Sequence, residues 1–229
     1  MSVCIVIPAF NEERSIDRVV RSARQSGMDV LVVDDGSADR TAELAEAAGA
    51  IVERHGRNQG KGVAIRTAAA WVLRHEYDAA VFLDADGQHL PEELPRFRDC
   101  FERTGADLIV GSRMADNASM PRVRKLANRT SSLLVSLVAG TRVTDSQSGY
   151  RLFSRRMLER LKDGGGAGFD FESEMIIDAV RDGLRYCEVP ISCIYGEEKS
   201  HYRPFRDAAQ FLSLMARKSL QRAGRPRRR

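Results

Sequence analysis

The chain has 229 residues, 43% of them hydrophobic and 30% charged, with a net charge of +4. This balance excludes a disordered polyelectrolyte and allows one large domain with its own core. The longest apolar stretch, residues 132–139, falls far short of the roughly 20 residues that cross a bilayer. Met1-Ser2-Val3-Cys4-Ile5 lacks a basic leader and reads as a strand, so a cytoplasmic location is expected. Cys4, Cys100, Cys187 and Cys193 show no CxxC spacing and read as reduced thiols. Residues 199–229 hold ten Lys or Arg and one Asp, a balance of +9 that leaves −5 on the other 198 residues. A basic end on an acidic body suits a polyanionic partner.

In chain order, strand and helix signals alternate. Val3–Ile7 reads as a strand closed by Pro8. A helical stretch follows from Asn11 and Glu12, with Ile16, Val19, Val20 and Ala23 on one face. Val30–Val33 is the second strand; Asp39 is placed to cap the next helix, which Gly49 ends. Ala50–Glu53, Ala79–Leu83 and Asp107–Val110 read as further strands, and Gly60–Arg74 and Pro91–Arg103 as helices. This alternation predicts an α/β fold with a mostly parallel central sheet and right-handed crossovers. Later come a helix over Arg122–Ala139, a strand within Ser148–Phe153, a Gly164-Gly165-Gly166 interruption and a helix over Phe171–Arg181. A strand pair or bent strand about Pro190 precedes an amphipathic helix, Pro204–Arg222, with Phe205, Ala208, Ala209, Phe211, Leu212, Met215 and Leu220 as its apolar set.

Four strand ends carry polar loops: Pro8-Ala9-Phe10-Asn11-Glu12, Asp34-Asp35-Gly36-Ser37, Asp84-Ala85-Asp86 and Gly111-Ser112-Arg113. In a parallel sheet they share one edge, where open α/β folds bind ligands. Asp84 and Asp86 are hard oxygen donors that can share one Mg²⁺ or Mn²⁺ and leave positions for phosphate oxygens. Neither GxGxxG after the first strand nor GxxxxGK[ST] occurs, which disfavours a dinucleotide site and a P-loop.

Read together, Ile7–Glu12, Val32–Thr41, Gly60-Lys61-Gly62 and Leu83–Asp86 make the chain resemble family 2 glycosyltransferases of the GT-A fold. Asp84–His89, Gly111-Ser112-Arg113, Arg124–Asn128, Asp145–Arg151 and Glu188–Ile191 resemble the polyprenol- and dolichol-phosphate mannose synthase branch, over roughly residues 3–203. The resemblance implies a GT-A nucleotide-diphospho-sugar transferase domain at 1–203, with helices on both faces of its sheet. Residues 204–229 would be an appended amphipathic helix and basic tail. It implies that Pro8, Ala9, Asn11, Glu12, Asp34, Asp35, Lys61, Ala85, Asp84 and Asp86 hold the nucleotide sugar, with a carboxylate reading the base. Gln88 would join Asp84 and Asp86 on the metal. Arg113, Arg124 and Asn128 would grip an acceptor phosphate, and Glu174 would lie near the sugar. Lys199, His201 or Arg203 would bring a cation to the diphosphate.

The implied activity is inverting, metal-dependent sugar transfer from a nucleotide-diphosphate sugar to a polyprenyl phosphate. Asp86, Arg113 and Glu174 would be its catalytic residues. The protein would sit peripherally on the cytoplasmic face of an anionic membrane. A saccharide or small-molecule hydroxyl acceptor is the alternative, and would require a carboxylate base from Glu172 or Glu174. A non-catalytic polyanion-binding protein is a third reading. Nucleic acid is not expected, because the tail lacks interleaved aromatics. Base, sugar and oligomeric state stay open.

Overall fold

The computed structural model describes residues 1–114, 120, 122–163, 171–192 and 204–223, the side chains of 122, 124, 163, 204–207, 222 and 223 excepted. The Arg124 side chain, Gly164–Gly166, Cys193, Lys199, His201, Arg203 and the tail from Gly224 lie outside the described residues. The strands are β1 (Val3–Ala9), β2 (Val30–Asp34), β3 (Ile51–Arg54), β4 (Ala79–Phe82), β5 (Leu108–Ser112), β6 (Arg151–Ser154) and β7 (Tyr186–Pro190). They form one seven-stranded sheet in the order β3-β2-β1-β4-β6-β5-β7. All neighbours pair in parallel except β6, which runs antiparallel between β4 and β5. The expected α/β architecture is present, and β6 is the exception that makes it "mostly" parallel.

Around the sheet lie α1 (Ile16–Arg24), α2 (Thr41–Ala47), α3 (Lys61–Arg74), α4 (Leu94–Thr104, after a 3₁₀ turn at Pro91–Glu93), α5 (Arg122–Ala139), α6 (Arg155–Asp163), α7 (Phe171–Arg181) and α8 (Pro204–Ala223). Strand alternation sends Val3, Ile5 and Ile7 into one core with Ile16, Val20 and Phe97. Cys4 and Val6 face the other core, with Ala68, Val72, Val135 and Ile176. Helices therefore cover both faces.

Several differences from the sequence reading have local causes. β1 continues through Pro8 to Ala9. Val6 O accepts Leu83 N–H at 3.1 Å. Pro8, two residues on, turns the same edge beyond the last β4 pair, so its missing N–H costs no ladder bond. Asp39 sits just before the cap position of α2 and accepts Thr41 N–H at 3.0 Å. Helix α6 was not anticipated. It starts directly after β6 with no turn residue between them, and in Arg155–Asp163 only Met157, Leu158 and Leu161 mark a buried face. Among the described side chains of α8 the packed ones are Leu214, Met215 and Lys218, with Phe211 beside them, whereas Ala208, Ala209, Leu212 and Leu220 face outward; the Phe205 side chain lies outside the described residues. Lys218 Nζ bonds Asp178 at 2.7 Å and Glu174 at 2.9 Å, fastening α8 to α7. Cys4 and Cys100 are buried and Cys187 half-buried; burial pushes the Cys187 thiol up to about 11, which keeps it protonated and unreactive.

Candidate active site

Both β4 and β5 run antiparallel to β6, so they run parallel to each other. The loops after β1, β2, β4 and β5 therefore share the carboxyl edge, as the sequence pattern requires. Asp84 follows β4 by two residues. Its Oδ1 receives Lys61 Nζ at 2.8 Å, and the same ammonium lies 3.0 Å from Glu172 Oε1. Lys61 is the first residue of α3, behind Gly60 at φ +93°, a left-handed cap that a side chain would strain. Burial alone would raise the Asp84 pKa, but the Lys61 charge outweighs it and holds the carboxyl below the usual range. Burial likewise opposes the charged Lys61, and Asp84 and Glu172 overcome it, keeping the ammonium protonated.

His89 fixes the backbone here. It is buried, and Asp84 N–H donates to its Nδ1 at 3.1 Å. Burial pushes His89 down to about 4 against the pull of Asp84, so the ring is neutral and its 3.7 Å approach to Asp84 Oδ2 is not an ion pair. Gly149 allows β6 to enter beside the acid: a Cβ there would lie 2.9 Å from Asp84 Cγ. Beneath them Arg151 is buried and donates to the carbonyls of Ser148 (2.7 Å), Glu172 (2.8 Å) and Ser146 (3.0 Å), joining three segments under the site. Asp86 Oδ1 accepts Gln88 N–H at 2.9 Å, which closes the 84–88 turn and orients the second carboxylate. Ala85 between them is buried.

The expected nucleoside wall is differently arranged. Asp34 is fully buried; its Oδ1 accepts from Ser37, and Arg54 Nε lies 3.1 Å from Oδ2 without hydrogen-bond alignment. Asp35 accepts Gly60 N–H at 2.7 Å and Gln59 N–H at 3.0 Å, and pairs with His55 Nδ1 at 2.7 Å. Both carboxylates are buried and engaged by donors of their own chain. Together they hold the 34–37 turn and the 55–60 segment in place, because a buried carboxylate must collect donors. Asn11, at φ +56°, accepts Ala38 N–H on its Oδ1 at 2.9 Å and donates its own backbone N–H to Ser37 Oγ at 2.9 Å. Glu12 N–H donates to Thr41 Oγ1 at 2.8 Å. Ala9 O accepts Asp35 N–H at 2.8 Å, and Pro8 borders the small cavity shared by Lys61, Asp84 and Glu172. The first two loops are thus cross-braced.

Arg113 stands just past β5 and forms a fork with Asp145, Nε to Oδ2 at 2.7 Å and Nη2 to Oδ1 at 2.9 Å. Asp145 is fully buried, and Asn128 Nδ2 donates to it at 2.9 Å. The Asn128 side-chain Oδ1 in turn accepts Ser132 Oγ–H at 3.1 Å. Asn128 is therefore a buried brace for Asp145. Glu188 anchors the loop from β7, accepting Thr144 N–H at 2.8 Å, Thr144 Oγ1 at 2.7 Å and Tyr186 Oη at 2.6 Å.

Glu174 does not join the Asp84 cluster. It pairs with Arg217 and Lys218 of α8, both at 2.9 Å. Glu172 and Glu174 are two positions apart, about 200° around a helix, so they cannot serve one site. The carboxylate of α7 that reaches Lys61 is Glu172. The sequence reading also gave no role to Asp145, Gly149 or Arg151. The available signal was a single carboxylate and a single cation flanking the uncharged run Ser146-Gln147-Ser148-Gly149-Tyr150, an unusual composition for a surface loop.

A sheet of this order, with an Asp-x-Asp turn and basic side chains on its carboxyl edge, defines a GT-A glycosyltransferase. The sequence pattern of glycosyl transferase family 2 matches residues 4–162. The UDP-N-acetylglucosamine–dolichyl-phosphate N-acetylglucosaminyltransferase of Methanococcus voltae is 34% identical over 217 residues, 85% of this chain and 86% of that protein. The undecaprenyl-phosphate mannosyltransferase of Micrococcus luteus is 34% identical over 210 residues, 86% of this chain and 85% of the relative. Glucosyl-3-phosphoglycerate synthase from Mycobacterium tuberculosis, solved with Mn²⁺, UDP and glucosyl-3-phosphoglycerate, shares the fold with a TM-score of 0.71 at 22% identity, over 98% of this chain and 81% of that one. The chain belongs to glycosyl transferase family 2 and is a glycosyltransferase.

Proposed function

We propose that this protein moves a sugar, with inversion, from a nucleotide-diphosphate sugar to a polyprenyl phosphate in a divalent-cation-dependent reaction. The observation that carries the reading is the pair of carboxyl strand ends that flank β6 on one edge of the sheet. The Asp84–Lys61 centre after β4 suits a diphosphate, and Arg113 after β5 suits a second, separate phosphate. The names of the Methanococcus and Micrococcus relatives, both transferring to lipid phosphates, support the acceptor.

Asp84 and Asp86 present oxygen donors alone, which fit Mg²⁺ or Mn²⁺, and an ammonium already stands as a cation on Asp84. Among the described residues no group of three or more His, Cys, Asp or Glu side chains is placed to hold a metal. Asp84 and Asp86, with Gln88, would hold the ion together with donor oxygens and water. When bound, the ion neutralises charge developing on the departing diphosphate. Lys61 adds a second cation at that position. Arg113, set by Asp145, orients the acceptor phosphate for in-line attack. With a second pKa near about 6, a phosphate monoester is largely dianionic at neutral pH and needs no general base. That agrees with the histidines: His89 is neutral with Nδ1 engaged, and His55 bonds Asp35 and Thr67 through its two ring nitrogens. Incubation with labelled UDP-glucose, UDP-N-acetylglucosamine or GDP-mannose plus polyprenyl phosphate should carry label into the organic phase. Label appearing solely in water-soluble product would support the hydroxyl-acceptor alternative.

Arg113→Lys keeps a cation for Asp145 but removes the planar fork. It should raise the acceptor concentration for half-maximal rate about tenfold, matching the roughly 1.5–3 kcal/mol of a charged hydrogen bond. Donor affinity should stay unchanged. Equal loss of donor binding would move Arg113 to the donor site.

Work at an anionic membrane surface follows from a lipid acceptor, with 204–229 as the appendage to the 1–203 catalytic body. No described helix is long and apolar enough to cross a membrane. Instead α5 exposes Val123, Leu126, Leu133 and Leu137, and the adjacent α8 exposes Leu212 and Leu220. Helix α5 carries Arg122, Arg124, Lys125 and Arg129 and no acidic residue, a composition suited to an anionic interface. Deleting Gly224–Arg229 removes four arginines, each contributing on the order of 1 kcal/mol near such a surface. Flotation with anionic vesicles should weaken, the difference shrinking as salt rises. Turnover on a short soluble phosphate acceptor should not change. Identical flotation of both forms would make the tail a bystander.

A further inference from the structure

We infer that Lys61 is a resident counter-cation, seated on Oδ1 of Asp84 until a diphosphate draws it away, so that metal and nucleotide bind interdependently. This rests on the proposed placement of a divalent ion at Asp84 and Asp86. The geometry supplies the conflict. A divalent ion on a carboxylate sits about 2.0–2.6 Å from its oxygen, whereas Lys61 Nζ already lies 2.8 Å from Asp84 Oδ1. Two cations on one carboxylate repel strongly in a half-buried setting. Arg113 adds a further positive charge acting on Asp84.

Lys61 is also built to move. It is 44% exposed on a flexible four-carbon stem, and Glu172 Oε1 at 3.0 Å gives the ammonium a second partner. A bound diphosphate brings the negative charge that lets both cations sit side by side, Lys61 on phosphate and the metal on Asp84. Without it, the ammonium competes with the metal. Thermodynamic linkage makes the effect reciprocal: what the nucleotide does for the metal, the metal does for the nucleotide. A free enzyme of this design does not hold its ion tightly and assembles the complete charged centre only around the donor.

The test uses the full chain and Mn²⁺, with bound ion read by electron paramagnetic resonance in the absence of nucleotide. Lys61→Met, nearly the same length without the charge, should bind Mn²⁺ about tenfold more tightly or better than wild type. Lys61→Arg should not. Binding of labelled UDP or GDP, whichever the wild type takes, should weaken about tenfold in Lys61→Met through loss of the charged contact. The two affinities move in opposite directions, whereas a merely structural lysine would weaken both. Unaltered or weaker Mn²⁺ binding by Lys61→Met overturns the inference. So does a wild type whose nucleotide affinity is indifferent to Mn²⁺, a measurement that needs no variant to fold. Mn²⁺ binding that survives Asp86→Asn unaltered would remove the metal assignment itself, a failure distinct from that of Lys61.

Discussion

Asp86→Asn should abolish sugar transfer while leaving the fold intact. The Asp86 Oδ1 that accepts Gln88 N–H at 2.9 Å survives as the amide oxygen, so the 84–88 turn keeps its closing bond. What disappears is one of the two negative charges proposed to hold the cation. Charge stabilisation of this kind is worth several kcal/mol at the transition state, about a thousandfold or more in kcat. Melting temperature should stay within about 2 °C of wild type, because such an isosteric change leaves the surrounding packing in place. Metal-dependent binding of the nucleotide should fall with the rate. Transfer within tenfold of wild type would remove Asp86 from the metal centre.

Asp145→Ala should have the largest effect on stability. Asp145 is fully buried, forked by Arg113, bonded by Asn128 Nδ2 and by the Arg113 N–H at 3.1 Å. Removing the carboxylate takes away the buried counter-charge that a largely buried guanidinium forks, which costs about 3–5 kcal/mol. In a chain of this length each kcal/mol shifts the melting temperature by roughly 2–4 °C, so a loss near 10 °C is expected. Burial alone would raise the Asp145 pKa, but the hydrogen bonds and charge of Arg113, helped by Asn128, bring it below the unfolded value. A carboxyl with a depressed folded pKa contributes stability that is present above its unfolded pKa, about 3.9. That contribution is lost as pH falls through the folded value. The difference in stability between wild type and variant should therefore narrow only in strong acid. Thermal melts from pH 7 downward check this, and a shift below about 2 °C at neutral pH would show that Arg113 finds another partner.

The sequence by itself determined the sheet, its strand ends and the acidic turn. Apolar runs such as Val30–Val33 and Ala79–Leu83 have little choice but a buried parallel strand, and their abrupt ends in Asp34 and Asp84 mark the carboxyl edge. Periodicity found α1, α3, α5 and α7 for the same local reason: each buries one stripe. It did not find α6, because no turn residue separates it from β6, and it misplaced the packed face of α8, because Leu212 and Leu220 look like core residues to any local rule.

Which polar side chains face the cleft was decided by tertiary structure alone. Asp34 and Asp35 stand in the motif as ligands, yet donors from Ser37, Gln59, Gly60 and His55, up to 25 positions away, turn them inward. Glu172 and Glu174 are indistinguishable in composition, and the docking of α3 on one side of α7 and α8 on the other sends one to Lys61 and the other to Lys218. Asn128 and Arg113 meet only because the 144–146 loop, held from β7 by Glu188, carries Asp145 between them. Hydrophobic pattern is a property of neighbouring residues, so it is legible along the chain. A buried charge finds its partner wherever packing delivers one, and that partner is distant in sequence.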